Sequence, residues 1–470
     1  MRRSSHKGFR LLSLTCALAL LVTIVAACSG GSGENGGNTK TPNDTKTNAN
    51  TGATEGNKGA EGEEANAPKV NLADIKGEVR VITPWGAGFG EQFAKMFEDF
   101  NKDYPNVKVI YMEQTTADLA ALIAAGETPD VISSNGLAID LRKDDMIEDL
   151  TPYLNSSPDI TPDLYYEPAY TRSVDQNGAV WALPWHVDPN FALAYNNDVL
   201  EQYGFTEIPE MQTLQEFGDF LRKFWVTENG EQVMTTFSPH EVYGPFNSLI
   251  TMSFLNGADA SNFYNPAERK VTFNDPLVVE ALDWIVNFKR ENINDERMGK
   301  LNSTLPENTG RFSAGKSLME PHVTPSLRGL LEQNPDLKFA PMPAESLWIG
   351  GWSFSLTSVG KKENKDAAWA LLKWMTSTKA GAESQQKHFG WISGIKDNPY
   401  LESEAKKDPV TASAYEVLKN AKKLPPTIPV DVGKEFDTKW AEVMAGTLEP
   451  KAFLDHMTTF TQALLDEQKP

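Results

Sequence analysis

The chain has 470 residues, too many for one ordinary hydrophobic core and enough for two domains. Hydrophobic residues make up 40% and charged residues 23%, the balance of a soluble globular protein. The formal net charge of -20 argues against a nucleic-acid partner, because phosphate binding needs clustered Lys and Arg.

Arg2, Arg3, Lys7 and Arg10 give a positive start to an apolar run from Leu11 to Ala26. The run closes on Val25-Ala26-Ala27-Cys28, with small residues just before the cysteine. This is the layout of a secretory signal, and it is short for a membrane span, which needs about 20 apolar residues. Its end resembles the bacterial lipobox, in which the cysteine becomes the lipid-modified first residue of the mature protein. Residues 1–27 are therefore expected to be a signal peptide and Cys28 a lipidation site. The stretch 28–68 is rich in Gly, Asn, Thr, Ser and Glu, cannot bury surface to offset ordering entropy, and reads as a disordered tether. The two cysteines, Cys16 and Cys28, both fall before the globular part, which is left without a disulfide or a thiolate metal site; a chain this long can bury a core without them.

From about Val70 the pattern changes. Glu78 to Thr83 reads as a strand, broken by Pro84, Gly86, Gly88 and Gly90. Phe93, Phe97, Phe100 and Tyr104 then recur at helical spacing, and Val107 to Tyr111 alternates as a second strand. Leu119 to Ala125 is a short helix, and Asp130-Val131-Ile132-Ser133 a third strand. Strands alternating with helices imply parallel βαβ units. Thr213 and Glu216 form a capping-box pattern before Phe217, Phe220, Leu221 and Phe224. Asp275-Pro276 reads as a cap with proline at the first helical position, ahead of Leu282, Ile285 and Val286. Ala368, Leu371, Leu372 and Met375 mark a further helix, and Phe453, Met457, Phe460 and Leu464 the last. No repeat of solenoid period is present.

Three stretches resemble the extracellular solute-binding proteins of carbohydrate ABC importers, the family that includes maltose-binding protein. The first is Trp181-Ala-Leu-Pro-Trp185 followed by Phe191-Ala-Leu-Ala-Tyr195-Asn196-Asn-Asp-Val-Leu200. The second is Phe312-Ser-Ala-Gly315-Lys-Ser-Leu-Met319. The third is Gly350-Gly351-Trp352-Ser353-Phe-Ser-Leu with Lys362-Glu-Asn-Lys365-Asp-Ala-Ala-Trp369. Gly390-Trp391-Ile392 stands where the family often has a Gly-x-Pro segment, with serine in place of the proline. The resemblance implies an α/β, two-lobe periplasmic-binding-protein-like fold with three interlobe crossovers and a central ligand cleft. Crossings are then expected near Asp188–Ala194, Phe339–Pro343 and Thr378–Phe389. The lobes would comprise 70–190 plus 342–385, and 191–341 plus 386–470. It also implies the lipid-anchored, extracytoplasmic capture subunit of an importer, not an enzyme. Its expected partners are a carbohydrate and a membrane permease with a cytoplasmic ATPase; it is expected to act as a monomer and to need no cofactor or metal.

A sugar has polar edges and flat C–H patches, so its site needs aromatic faces and planar hydrogen-bonding groups. Trp85, Trp185, Trp352 and Trp391 stand beside glycine or proline at strand ends and are candidate platforms, whereas Trp284, Trp369 and Trp374 lie in helical patterns and read as packing. Trp185 also lies at the first crossing, where packing is the competing role. The polar candidates are Ser133 and Asn135 after the third strand, His186 and Asp188 at the first crossing, and Glu320 and His322 after Met319. Asp188 reads equally as a turn former before Pro189. Two rival readings stay open. The same scaffold serves a polyamine or peptide carrier, and a secreted glycoside hydrolase or lyase would need two carboxylates about 5–10 Å apart across a cleft. A sensor or adhesin that binds sugar without transport is a third.

Overall fold

The computed structural model describes residues 71–467 apart from 135–140, 143, 176, 191, 308, 324–326, 328, 332–333 and 422. The expected signal peptide, Cys28, the tether and Asn135 lie outside the described residues. Within them the strands are β1 Gly77–Thr83, β2 Val107–Thr115, β3 Val131–Ser134, β4 Leu183–Pro189, β5 Ala192–Tyr195, β6 Val226–Glu228, β7 Glu231–Met234, β8 Tyr264–Asn265, β9 Lys270–Val271, β10 Met319–His322, β11 Lys338–Pro341, β12 Ile349–Leu356 and β13 Ile392–Ser393.

The first three strands fall where the alternating pattern puts them. β1 pairs in parallel with β2 on one side and β3 on the other. A parallel pair cannot be joined by a hairpin, so the helix Gly90–Asp103 makes the β1–β2 connection and buries Phe93, Phe97 and Phe100. β12 then pairs antiparallel with both β3 and β4, and β13 with β4. The result is one six-stranded mixed sheet, β13-β4-β12-β3-β1-β2. A second sheet, β10-β5-β11, is antiparallel throughout.

Each sheet anchors its own core. Val79, Phe93, Trp185, Phe354 and Leu371 belong to one buried cluster, and Leu193, Phe217, Phe254, Leu282 and Phe453 to another. The caps read from sequence form as expected. The Glu216 amide donates to Thr213 Oγ1 at 3.2 Å, the Thr213 amide to Glu216 Oε2 at 3.2 Å, and Leu277 N to Asp275 Oδ1 at 2.9 Å.

The chain passes from the six-stranded to the three-stranded sheet between β4 and β5, and returns between β11 and β12. Residues 379–393, within and just after the expected third crossing, stay with the six-stranded sheet and its helices. The helix Lys379–Phe389 still packs on Gly90–Asp103, and β13 is still part of the six-stranded sheet. The helix Pro409–Asn420 packs on β5 and β11, and Pro399–Ala405 packs against that helix. The six-stranded sheet thus takes in residues as far as Ser393, past the expected lobe boundary at 385. The physical reason is a polar clamp: Asp99 accepts from Ser384 Oγ at 2.9 Å and pairs with His388 Nε2 at 2.8 Å, holding the helix to the first lobe.

Candidate functional site

Strand direction gathers the candidate residues on one edge. β1, β3 and β4 run the same way, and β12 runs against them with Ile349 opposite Pro189 and Ser353 opposite Ser134. The carboxyl ends of β1, β3 and β4 and the amino end of β12 thus share the edge from which the crossings leave. Open α/β sheets bind ligands outside such strand ends.

Trp85 is held there by its own turn. Tyr111 Oη donates to Gly86 O at 2.7 Å and lies 2.7 Å from Thr83 Oγ1, which accepts from Trp85 N at 3.3 Å. Gly86 has φ +53°, and a Cβ on it would sit 2.9 Å from the Glu113 carbonyl. Trp352 depends on glycine more strictly. Gly351 has φ +131°, and a Cβ there would lie 2.1 Å from the His186 carbonyl, so only glycine allows β12 to lie this close to β4. The pairing slips between Trp352 and Ser353.

The indoles form one packed wall. Trp85 lies 5.3 Å from Trp352 and 5.2 Å from Trp391, both edge to face. Trp85 and Trp352 are partly exposed and Trp391 is 4% exposed. Trp185 departs from the platform role. It is 0% exposed, with Phe93 stacked at 5.5 Å and Phe354 and Phe389 edge-on at 5.0 and 5.3 Å. Its faces are used in the core, and it supports the wall from behind. Ser133 is also turned inward; its hydroxyl donates to Ser353 O at 3.4 Å.

His186 and Asp188 follow on β4. His186 is 4% exposed and 4.7 Å from the Trp391 ring. Burial, then the nearby Arg172 charge, pushes its imidazole down to about 3, so it is neutral. Neither ring nitrogen has a hydrogen-bond partner among the described residues. Burial pushes the Asp188 carboxyl up to about 7, and its covered Oδ1 has no such partner either.

The second sheet supplies a different surface. Glu320 and His322 share a face of β10, with Glu320 Oε2 3.7 Å from His322 Nε2. His322 stands opposite Ala192, the first residue of β5 after the crossing, so this end of the sheet is the one next to the first lobe. Two residues escaped the sequence reading. Tyr243 is 42% exposed at φ +47°, and its hydroxyl accepts from Val323 N at 3.3 Å, beside His322. An aromatic ahead of Gly244-Pro245 was the available signal, by the glycine-adjacent logic that marked Trp352. Arg172 donates from Nη1 to Gly351 O at 3.4 Å, and burial pushes its guanidinium down to about 10. Nothing in its local sequence marks it.

A packed indole surface beside neutral and titratable hydrogen-bonding groups suits a molecule with flat apolar faces and polar edges. The comparisons with known proteins bear on the family and the fold. A family model described as bacterial extracellular solute-binding protein matches residues 83–382. The maltotriose-binding protein of Pyrococcus abyssi is 22% identical over 354 residues, covering 71% of this chain and 70% of its own. An ABC substrate-binding protein from Listeria monocytogenes, solved in complex with cycloalternan, superposes with a TM-score of 0.64 at 19% identity, over 83% of this chain and 99% of its own. The sugar-binding protein MalE of Xanthomonas citri gives 0.67 at 17% identity, over 83% and 98%. At these identities the superpositions establish the shared two-lobe fold.

Proposed function

Because the chain belongs to the bacterial extracellular solute-binding protein family, we propose that it captures a sugar or oligosaccharide between its lobes and hands it to the permease of an ABC importer. The observation that carries the reading is the partly exposed indole pair Trp85 and Trp352, backed by the buried Trp391, at the strand ends from which the crossings leave. Indole faces match the C–H patches of a pyranose, and His186, Asp188, Glu320 and His322 offer partners to its hydroxyls. Tyr243 adds an aromatic edge from the second lobe.

The mechanism is hinge closure. The open form exposes both walls, and a bound sugar bridges them and selects the closed form, where both are engaged. Affinity is expected at micromolar or somewhat tighter, roughly 8 kcal/mol or more, because cargo must be released again. Residues 1–27 direct export, acylated Cys28 anchors the monomer to the outer face of the cell membrane, and the 28–68 tether keeps it near a permease with its cytoplasmic ATPase. No bond of the sugar is made or broken in this scheme.

Thermal shift and calorimetry against mono- and oligosaccharides, maltotriose included, test the reading, since a ligand that binds only the folded chain raises its melting point. At least one sugar should raise it; a flat response to the whole panel overturns the sugar assignment. Release of new reducing ends from oligosaccharides would favour a hydrolase instead. Mass spectrometry of protein extracted from its own membranes should find an acylated Cys28 at the amino terminus.

A further inference from the structure

Two of the three crossings are joined to each other by one side chain. Asn190 follows β4, is 2% exposed, and uses both ends of its amide. Its Nδ2 donates to Ser346 O at 3.0 Å, and its Oδ1 accepts from Trp348 N at 3.3 Å. Its backbone N–H donates to Trp348 O at 2.8 Å. Three bonds from one residue therefore stitch the outgoing segment to the returning one. The returning segment is itself fixed: Ser346 Oγ donates to Pro343 O at 2.7 Å, and Trp348 Nε1 donates to Thr251 Oγ1 of the second lobe at 3.4 Å.

The third crossing is held differently. Gly394 N donates to Trp185 O at 3.0 Å, Tyr166 N to Gly394 O at 3.1 Å, and Lys396 N to Leu164 O at 3.0 Å. All of these partners are in the first lobe. The two modes of attachment differ in what they join: crossing to crossing in one case, crossing to lobe in the other.

We propose that Asn190 is the positioning residue of the hinge, locking the first two crossings into one unit so that the lobes rotate about a single axis. Without its amide, the Ser346 carbonyl loses the Asn190 Nδ2 donor in a place shielded from water, with Ser346 0% exposed, and the side-chain link to the Trp348 N–H is gone. The two segments then bend independently. The lobes sample more orientations, the binding-competent orientation is less populated, and apparent affinity falls by that fraction. The effect on affinity rests on the hinge-closure reading above; the effect on lobe geometry does not.

Pulsed electron-spin resonance between nitroxides at Glu98→Cys in the first lobe and Arg297→Cys in the second tests this in the full chain, with Cys16 and Cys28 changed to serine. Asn190→Ala should broaden the interlobe distance distribution, while Phe254→Leu, a second-lobe core variant of comparable stability loss, should leave it as in the parent. Calorimetry with maltotriose should then show roughly tenfold weaker binding for Asn190→Ala and unchanged binding for Phe254→Leu. A distribution for Asn190→Ala that superposes on the parent overturns the proposal. If the parent fails to bind maltotriose, that cargo is lost and the distance measurement still decides the hinge. If Asn190→Ala does not fold, Asn190→Asp keeps an oxygen for the Trp348 N–H, removes only the donor to Ser346, and must broaden the distribution in its place.

Discussion

The two lobes bring contrasting surfaces to the edge between them. On the first, Trp85 packs against both Trp352 and Trp391, backed by Trp185, Phe93 and Phe389, with two glycines fixing the backbone. On the second, a three-stranded sheet carries an acid and an imidazole, next to a single exposed tyrosine held at positive φ. A pre-packed aromatic wall loses little freedom when it binds, because its rings are already ordered. A polar edge with a strained residue supplies directional contacts. Under the proposed sugar reading, burial of area falls to the first wall and choice among hydroxyl patterns to the second.

The hardest way to break the first wall is through its backbone. Gly351→Val places a side chain on the His186 carbonyl and should cost about 5 kcal/mol or prevent folding, read by urea denaturation. Trp185→Ala empties the core behind the wall and should cost about 3–5 kcal/mol of stability. If that variant instead kept its stability and lost only ligand, the division between backing and wall would be wrong.

Asp188 sharpens the comparison through pH. Its folded value of about 7 lies above the unfolded carboxylate value near 3.9, so the folded chain holds a proton that the unfolded chain has released. That contribution is fully present below about pH 4 and is lost as pH rises through 7, at up to about 1.4 kcal/mol per unit. Asp188→Asn should flatten the decline in denaturation curves taken from pH 4 to 8. The smallest effect on stability is expected at the partly exposed ring. Trp352→Ala should change stability by under about 1 kcal/mol and weaken sugar binding by roughly 10- to 30-fold in calorimetry. Equal losses in Trp185→Ala and Trp352→Ala, on both scales, would erase the distinction drawn between them.

Much of the scaffold was readable along the chain. The β1–β3 strands, the Thr213–Glu216 box and the Asp275–Pro276 cap rest on neighbours a few residues away, and local spacing reports such features directly. The candidate site was readable only as a set of residue types. Trp185 and Trp352 both stand beside glycine or proline, yet one is enclosed by Phe93 and Phe354 and the other reaches the edge. Arg172 acts through the Gly351 carbonyl and the His186 ring, far from it in sequence.

The sequence by itself determined the α/β alternation, the helix caps and the supply of indoles at strand ends, because these follow from periodicity and from what glycine and proline permit. Only the tertiary structure decided which indole faces outward, where the third crossing lies and what joins the first two. Those outcomes depend on pairs such as Gly351 with His186, Asp99 with His388 and Asn190 with Trp348, and no spacing along the chain encodes which distant residue will arrive beside another.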